Sequence, residues 1–324
     1  MTATKSWNMI DFQDCSVLVT GGNGAVGSNL VRKLLDLETE VTVLDDYSQS
    51  KKENLPKDKN LKIIRGNIVD QKILDKVFVK HHDYIFHLAA RFANELSVKD
   101  PFEDLRVNIQ GTLQVLLRAS KQKPERFLYT SSSSIYGHQE TTTFSENTLP
   151  VPSTPYAASK LTGEHYCNAI HELYGTNYAV VRLSNSYGPF DPPGKFRNVI
   201  PNFMLNAIKG KNLVIYGTGK ETRDFTYVSD CVDGILLAAT TKQHKNEVFN
   251  LGTGKETTIK RVADVILDLT HSRSKIIYRP MRSFDHIRRR RMDITKARKQ
   301  LGYNPTINIR TGLQMTYQWF SKNW

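Results

Sequence analysis

Cysteine is scarce. Three thiols, Cys15, Cys167 and Cys231, stand far apart in 324 residues with no Cys-x-x-Cys pair. That spacing excludes a disulfide framework and a thiolate zinc site, and the three read as reduced packing residues. Long apolar runs are also missing: no stretch approaches the ~20 residues that a bilayer-spanning helix needs, so no membrane partner is expected. The first fourteen residues are polar, carry Asp11 and Asp14, and hold no apolar core of a secretory signal. The expected location is therefore the cytoplasm. No cluster of His, Cys and carboxylates has metal-ligand spacing, and no internal repeat or low-complexity segment is evident. Acidic residues are in deficit, 32 Asp and Glu against 45 Lys and Arg, for a formal charge of +13. Charge of this sign suits nucleic acid, but the basic residues are dispersed and no helix-turn-helix, zinc-finger or RNA-binding signature accompanies them, so no nucleic-acid partner is expected. A positive cleft for an anionic small molecule and plain surface solubility both account for the excess.

What is present is a rhythm. Strand-like runs recur at 16–20, 41–44, 61–65, 84–88, 126–130, 178–183 and 247–250. Helical patterns lie between them at about 25–36, 71–80, 101–121, 155–173, 198–209 and 229–241. Alternation of this kind predicts a parallel sheet covered on both faces, and continuous apolar strands such as Tyr84-Ile85-Phe86-His87-Leu88 agree with burial on both sides. After residue 184 the rhythm loosens around Pro189, Pro192, Pro193 and Gly194. We read residues 1–184 as a dinucleotide-binding domain, to which a strand near 247–251 returns, and residues 185–324 as mainly a smaller substrate-binding lobe. The helical patterns at 101–121 (Leu105, Ile109, Leu113, Leu116) and 155–173 (Leu161, Ile170, Leu173) carry apolar faces that serve equally for packing on the sheet or for pairing with a second copy in a homodimer.

The first strand breaks into Gly21-Gly22-Asn23-Gly24-Ala25-Val26-Gly27, a helical pattern follows, and the second strand ends at Asp45. This is the spacing of a dinucleotide fingerprint: glycines admit a pyrophosphate to the backbone, the helix N-terminus supplies N–H groups, and the acid accepts a ribose diol. An acid there repels a 2′-phosphate, which favours NAD over NADP. Tyr156 and Lys160 lie four apart, on one helix face. A phenol titrates near ~10 and a useful base near ~7, a gap of about 4 kcal/mol that an ammonium and a nicotinamide cation help to close. The serine-rich run from Ser131 to Ser134 falls at the end of the 126–130 strand, where parallel sheets bind ligands.

With these motifs in order, the chain resembles the extended short-chain dehydrogenase/reductase superfamily, in particular its nucleotide-sugar epimerases and dehydratases, and most of all the UDP-hexose 4-epimerases. The resemblance runs from about residue 14 to the C-terminus. It is carried by Gly21-x-x-Gly24-x-x-Gly27, Asp45, His87-Leu88-Ala89-Ala90, Asn108-x-x-Gly111-Thr112, the serines ending in Tyr136-Gly137, Tyr156-x-x-x-Lys160 and Arg182-x-x-Asn185-x-Tyr187-Gly188-Pro189. Gly217-x-Gly219, Arg223-Asp224-Phe225, Asn250-x-Gly252 and Asp293-x-x-Lys296-Ala297 continue it. It implies a Rossmann-type doubly wound α/β fold with a smaller substrate-binding lobe, NAD as cofactor and a nucleotide-diphosphate sugar as substrate. Tyr156 is then the catalytic base, Lys160 holds the nicotinamide ribose, and Ser132 is the active hydroxyl. The implied cofactor set is Gly21, Gly24, Ala25, Val26, Gly27, Asp45, Asp46, Ser50, Lys51, Asn67, Ile68, Leu88, Ala89, Ala90 and Asn108, with Tyr156 and Lys160. On the substrate, the resemblance implies Ser132, Ser133, Asn185, Arg223 and Arg282, the two arginines at the diphosphate.

Departures from the family pattern narrow the reaction. The family's 4,6-dehydratases place Asp and Glu directly after the active hydroxyl, and its sugar-acid decarboxylases keep a glutamate at the second position; this chain has Ser133 and Ser134. The resemblance therefore implies epimerisation, at C4 of a UDP-hexose of the UDP-glucose, UDP-N-acetylglucosamine or UDP-glucuronate type. A C2 epimerase and a one-way nucleotide-sugar oxidoreductase share nearly every motif. Asn67 stands where the family has an adenine-binding Asp, and Arg282-Ser283-Phe284-Asp285 replaces an Arg-Pro-Gly-Asp segment. The run Arg288-Arg289-Arg290-Arg291 reads equally as a solvated face or as part of the substrate mouth. His87 reads as a packed residue, His81 and His82 as loop residues.

Overall fold

A computed structural model describes Phe12 and residues 15–92, 94–282 and 287–324. Asp11, Asp14, Ser283, Phe284 and Asp285 lie outside the described residues.

Seven strands make one sheet: β1 Ser16–Thr20, β2 Glu40–Asp45, β3 Leu61–Arg65, β4 Tyr84–His87, β5 Arg126–Ser132, β6 Tyr178–Leu183 and β7 Glu247–Leu251. Their order is β7-β6-β5-β4-β1-β2-β3, and every pairing is parallel. Alternation along β1 shows why both faces are covered. Val17 and Val19 point into one core with Leu30, Leu128 and Phe249, and Leu18 points into the other with Ile85, Val115 and Phe127. The strand order reverses beside β1, whose neighbours are β2 and β4, and ligands of such sheets bind in the crevice at that point.

The helix α1 (Ala25–Leu35) follows β1 directly, and α2 (Pro155–Tyr174) starts at a Thr154 cap whose hydroxyl accepts the Ala157 N–H, with Pro155 at its first position. The pattern at 101–121 is not one regular helix. It opens as Pro101–Asp104, passes through a π-helical stretch from Leu105 to Gly111, and continues as Thr112–Gln122. Leu116 and Ile170 are buried in the sheet core, while Leu105 and Leu173 remain exposed, so the two apolar faces divide between packing and surface.

Beyond residue 184 a third core gathers Ile200, Phe203, Leu213, Val262, Leu313 and Phe320. It is built from the helices Val199–Ile208, Ile259–Thr270 and α3 (Ile309–Asn323), beside a parallel pair of strands, Leu213–Tyr216 and Ile276–Arg279. The helix Val228–Thr240 and the segment around Ala297, Leu301 and Tyr303 instead pack with the large sheet. Side-chain caps at Thr258 and Asn308 start the two helices that the sequence periodicity did not separate.

Candidate active site

A cleft of about 620 Å³ opens at the carboxyl ends of β1, β2 and β4 and runs on to the third core. Its floor is the turn after β1. Gly21 takes a φ of +70°, and a Cβ there would meet the Ala89 backbone nitrogen at 2.6 Å. A Cβ on Gly27 would lie 2.2 Å from the Gly21 carbonyl oxygen, so only glycine lets α1 start this close to the strand. No side chain caps α1, and Gly24, Ala25, Val26 and Gly27 line the cleft, leaving its first-turn N–H groups for an anion. At the end of β2, Asp45 is buried; its Oδ2 accepts the Asn23 N–H at 2.9 Å and its Oδ1 the Tyr47 N–H at 2.9 Å. Burial pushes its carboxyl above the ordinary range against these bonds. Beside it, Asn67 donates through Nδ2 to Asp46 Oδ2 at 2.7 Å, which ties the ends of β2 and β3 together. A helix start open to an anion, an acid at the end of β2 and a continuation of the cleft along Asp46, Asn67 and Ile68 fit NAD.

At the other end of the cleft stand Ser132, Tyr156 and Lys160, all three on its wall. Lys160 is 3 % exposed and donates to the Thr130 carbonyl at 2.9 Å, with its ammonium 6.0 Å from the centre of the Tyr156 ring. Burial pulls the ammonium down to about 8, against the pull of Asp104 and Glu164. Burial pushes the Tyr156 phenol well up, Asp104 adds to this, and the Ser132 hydroxyl works against it as a hydrogen-bond partner. The charge that brings the phenol toward neutral pH is thus not supplied by its carboxylate neighbours. Ser134 donates its hydroxyl to Ser132 Oγ at 2.9 Å, and its N–H to the same oxygen at 3.1 Å. Positions 133 and 134 therefore carry hydroxyls, not carboxylates, next to Ser132.

Gly21, Gly24, Ala25, Val26, Gly27, Asp45, Asp46, Ser50, Asn67, Ile68, Leu88, Ala89 and Ala90 line this one cleft with Ser132, Tyr156 and Lys160. The others sit away from its wall. Lys51 lies over the Trp324 ring at 3.8 Å, and Asn108 is buried behind the cleft, its Oδ1 accepting the Arg91 N–H at 2.7 Å. Ser133 is buried. Asn185 keeps a buried Oδ1 with no hydrogen-bond partner among the described residues. Arg223 donates to the carbonyls of Thr222 and Ile287 at 2.9 and 3.1 Å. Arg282 pairs with Glu95 at 3.5 Å and stacks over Tyr216. Sequence reasoning missed Gln49, Asp191, Lys195, Phe196, Arg197 and Asn198, which also line the cleft; the Pro189–Gly194 loop was the one cue that backbone there turns back toward the sheet. The four arginines at 288–291 go separate ways, to Glu221, to Glu256, to the Gly137 carbonyl and to Thr143. His87, held between Thr20 and Thr112 hydroxyls at 2.7 and 3.0 Å, is a packed residue that burial keeps neutral, down to about 3. Among the described residues no group of three or more His, Cys, Asp or Glu is placed to hold a metal, and no helix is long and apolar enough to cross a membrane.

Known proteins resemble this chain along most of its length. The model of the NAD dependent epimerase/dehydratase family matches residues 17–252. A putative UDP-glucose 4-epimerase of Methanocaldococcus jannaschii is 33% identical over 95% of this chain and 99% of its own length. A UDP-N-acetyl-alpha-D-glucosaminuronate decarboxylase of Bacillus cytotoxicus is 34% identical over 94% of this chain and 97% of its own. The solved structure of an epimerase from Methanothermobacter thermautotrophicus superposes with a TM-score of 0.95 at 41% identity, covering 97% of this chain and 94% of that one.

Proposed function

The chain belongs to the NAD dependent epimerase/dehydratase family, and from that premise we propose that it inverts C4 of a UDP-hexose through a transient 4-keto sugar. One observation carries the choice among the family's reactions: Ser132 is followed by buried Ser133 and by Ser134, whose hydroxyl bonds it at 2.9 Å. Elimination of water needs an acid and a base at the sugar, and the carboxylates that the family's dehydratases and decarboxylases place after the active hydroxyl are replaced here by hydroxyls.

In this reading each residue has a part. NAD, bound along the glycine turn and Asp45, supplies reversible two-electron chemistry at the sugar carbon. Tyr156 Oη takes the proton of the sugar 4-hydroxyl and later returns it. Ser132 Oγ donates a hydrogen bond to the same oxygen and steadies the ketone as it forms. Lys160, fixed on Thr130, holds positive charge near the phenol and favours its ionised form. Asn185, through its side-chain amide N–H, and the guanidinium groups of Arg223 and Arg282 are assigned to the diphosphate, where planar donor forks suit phosphate oxygens. Anchored there, the keto sugar turns its other face to the cofactor before the proton comes back. No electrons are gained or lost overall, so the cofactor stays resident. A homodimer belongs to the same reading, since Phe102, Leu105, Leu173 and Tyr174 leave apolar side chains exposed around the 101–122 segment and α2.

The test is incubation of the protein with UDP-glucose, UDP-N-acetylglucosamine and UDP-glucuronate, followed by proton NMR of the sugars. A C4-inverted product from one of them is expected, without net change in nicotinamide absorbance. A decarboxylated or deoxygenated sugar, or no conversion of any of the three with NAD bound, overturns the reading.

A further inference from the structure

The turn that carries Ser132 is short: β5 ends at Ser132, and a single helical turn runs from Ser133 to Tyr136. Both ends of it lead to one side chain. In the register of the sheet, Ser131 on β5 and Asn250 on β7 flank Arg182 on β6, at the carboxyl ends of parallel strands. Arg182 is buried, and every nitrogen of its guanidinium donates. Nε and Nη2 grip the buried Glu164 carboxylate at 3.0 and 2.7 Å. Nη1 reaches the Tyr136 hydroxyl at 2.9 Å and the Glu146 carbonyl at 3.3 Å. Glu164, one helical turn after Lys160 on α2, accepts the Ser131 hydroxyl through Oε1. Tyr136 donates in turn to Asn250 Oδ1 at 2.8 Å, and Asn250 donates through Nδ2 to the Phe144 carbonyl at 2.9 Å. Ser131 precedes the turn and Tyr136 ends it, and one guanidinium holds both.

Stability alone does not account for this arrangement. Apolar side chains of the same volume often stabilise a core as well as a buried ion pair does, because the pair must offset its own desolvation. What a guanidinium adds is direction: its planar fork fixes partners along set lines, which a point charge does not. Here those lines meet the chain just before and at the end of the turn, while Ser134 aims its hydroxyl and its N–H at Ser132 Oγ. The helix that presents Glu164 also presents Tyr156 and Lys160, and Lys160 bonds the carbonyl of Thr130, one residue before Ser131. The end of β5 is therefore tied to α2 at successive residues.

We propose that Arg182 is a positioning residue: with Glu164 and Tyr136 as its arms, it fixes the serine turn against α2 so that Ser132 Oγ stays within reach of the oxygen that Tyr156 serves. The part given to Ser132 rests on the proposed epimerase reading; the hold on the turn does not.

Two measurements test this, and the first does not depend on the proposed reaction. Tyr136→Phe removes one arm's hydroxyl and keeps the buried ring, which stacks on Phe144. Ser131→Ala removes the hydroxyl at the other end and leaves Arg182 on Glu164. Within the turn, the Ser134 N–H is held by Ser132 Oγ and the Gly137 N–H by the Ser134 carbonyl. Hydrogen exchange of these amides, read by mass spectrometry on peptides covering 131–137, is expected to quicken about five- to tenfold in either variant. Exchange in β1 and β4 should stay as it is. Wild-type exchange at the turn in both variants overturns the hold. The second measurement is steady-state kinetics on the UDP-sugar that the wild type converts, at a temperature where the variants are folded. In Tyr136→Phe kcat should fall about tenfold, with KM for the nucleotide sugar and the dissociation constant of NAD within about twofold. A turn that loosens while kcat keeps its wild-type value makes the network structural only and overturns the positioning role. If Tyr136→Phe fails to fold, Ser131→Ala decides both measurements by the same criteria. A wild-type protein that converts no UDP-sugar sinks the epimerase reading and leaves the exchange rates to decide the hold.

Discussion

At the scale of single residues the centre of the site is a conflict. As the proposed base, Tyr156 would lose a proton where burial and a nearby carboxylate both favour keeping it. In that reading positive charge from Lys160, and from NAD when bound, favours its phenolate. Tyr156→Phe removes the proton acceptor without changing the shape of the cleft. Turnover should fall by roughly a hundredfold to ten-thousandfold, while the dissociation constant for NAD, followed by quenching of protein fluorescence, stays within about threefold. A variant that keeps a tenth of the wild-type rate would remove Tyr156 as the base. This pair was legible in the sequence because both members sit on one helix, and four residues along a helix fix their relation whatever the rest of the chain does. Arg223 and Arg282 show the opposite case. A guanidinium at the end of a long side chain takes its partners from whatever tertiary structure brings near, here the carbonyls of Thr222 and Ile287 and the carboxylate of Glu95, and no local pattern encodes that.

Elements show the same division. The seven strands lie where the sequence places them; the inner ones, β1, β4 and β5, are apolar runs buried on both faces, which leaves little freedom in their sequence, while the edge strand β3 is largely exposed. The segment 101–122 reads as one helix and is not one, since the extra residue accommodated at Leu105–Gly111 changes no composition that periodicity detects. The arginine run at 288–291 is the sharpest case. Read as text it is a block of like charge, yet the backbone there leads into the short strand Arg291–Met292 and sends successive side chains to different sides. Arg290 ends 5 % exposed, reaching the Gly137 carbonyl beside the serine turn, while the Arg288 side chain is 65% exposed opposite Glu221. The two should part company under substitution. Arg290→Ala is expected to cost about 2–3 kcal/mol through lost packing and a lost buried hydrogen bond. Arg288→Ala should stay within about 0.5 kcal/mol, since its guanidinium is largely in solvent and the Glu221 carboxylate it faces is already held by the N–H groups of Thr218 and Gly219. Urea midpoints decide it, and equal shifts would mean that the run acts as one charged surface after all.

For the molecule as a whole, the question is what keeps NAD in place, because the proposed epimerisation, with no net electron transfer, gives it no reason to leave. Part of the answer comes from the far end of the chain. Arg197, in the stretch that leads into the helix Val199–Ile208, donates to the Gln49 carbonyl at 2.6 Å across 148 residues of sequence, and Gln49 donates in turn to the Phe92 carbonyl at 3.3 Å. These three residues line the cleft and bridge its two sides between the ribose end and the reacting end. Near the same loop, α3 lays Trp324 against Lys51 and Trp319 against Phe190, so the last turn of the chain packs on both strands of the bridge. None of this was visible beforehand, since such contacts depend on how the third core seats against the sheet, and that is set by buried residues such as Ile200, Phe203 and Leu313 far from the cleft. The consequence is measurable. Arg197→Ala should leave the glycine turn and Asp45 intact but open the bridge, losing a charge-assisted hydrogen bond and speeding release of bound NAD by about tenfold. Stopped-flow displacement of NAD by excess competing nucleotide reads that rate directly. Unchanged release would place cofactor retention in the sheet alone, at Gly21–Gly27 and Asp45, and would make the 189–198 segment a wall for the substrate only.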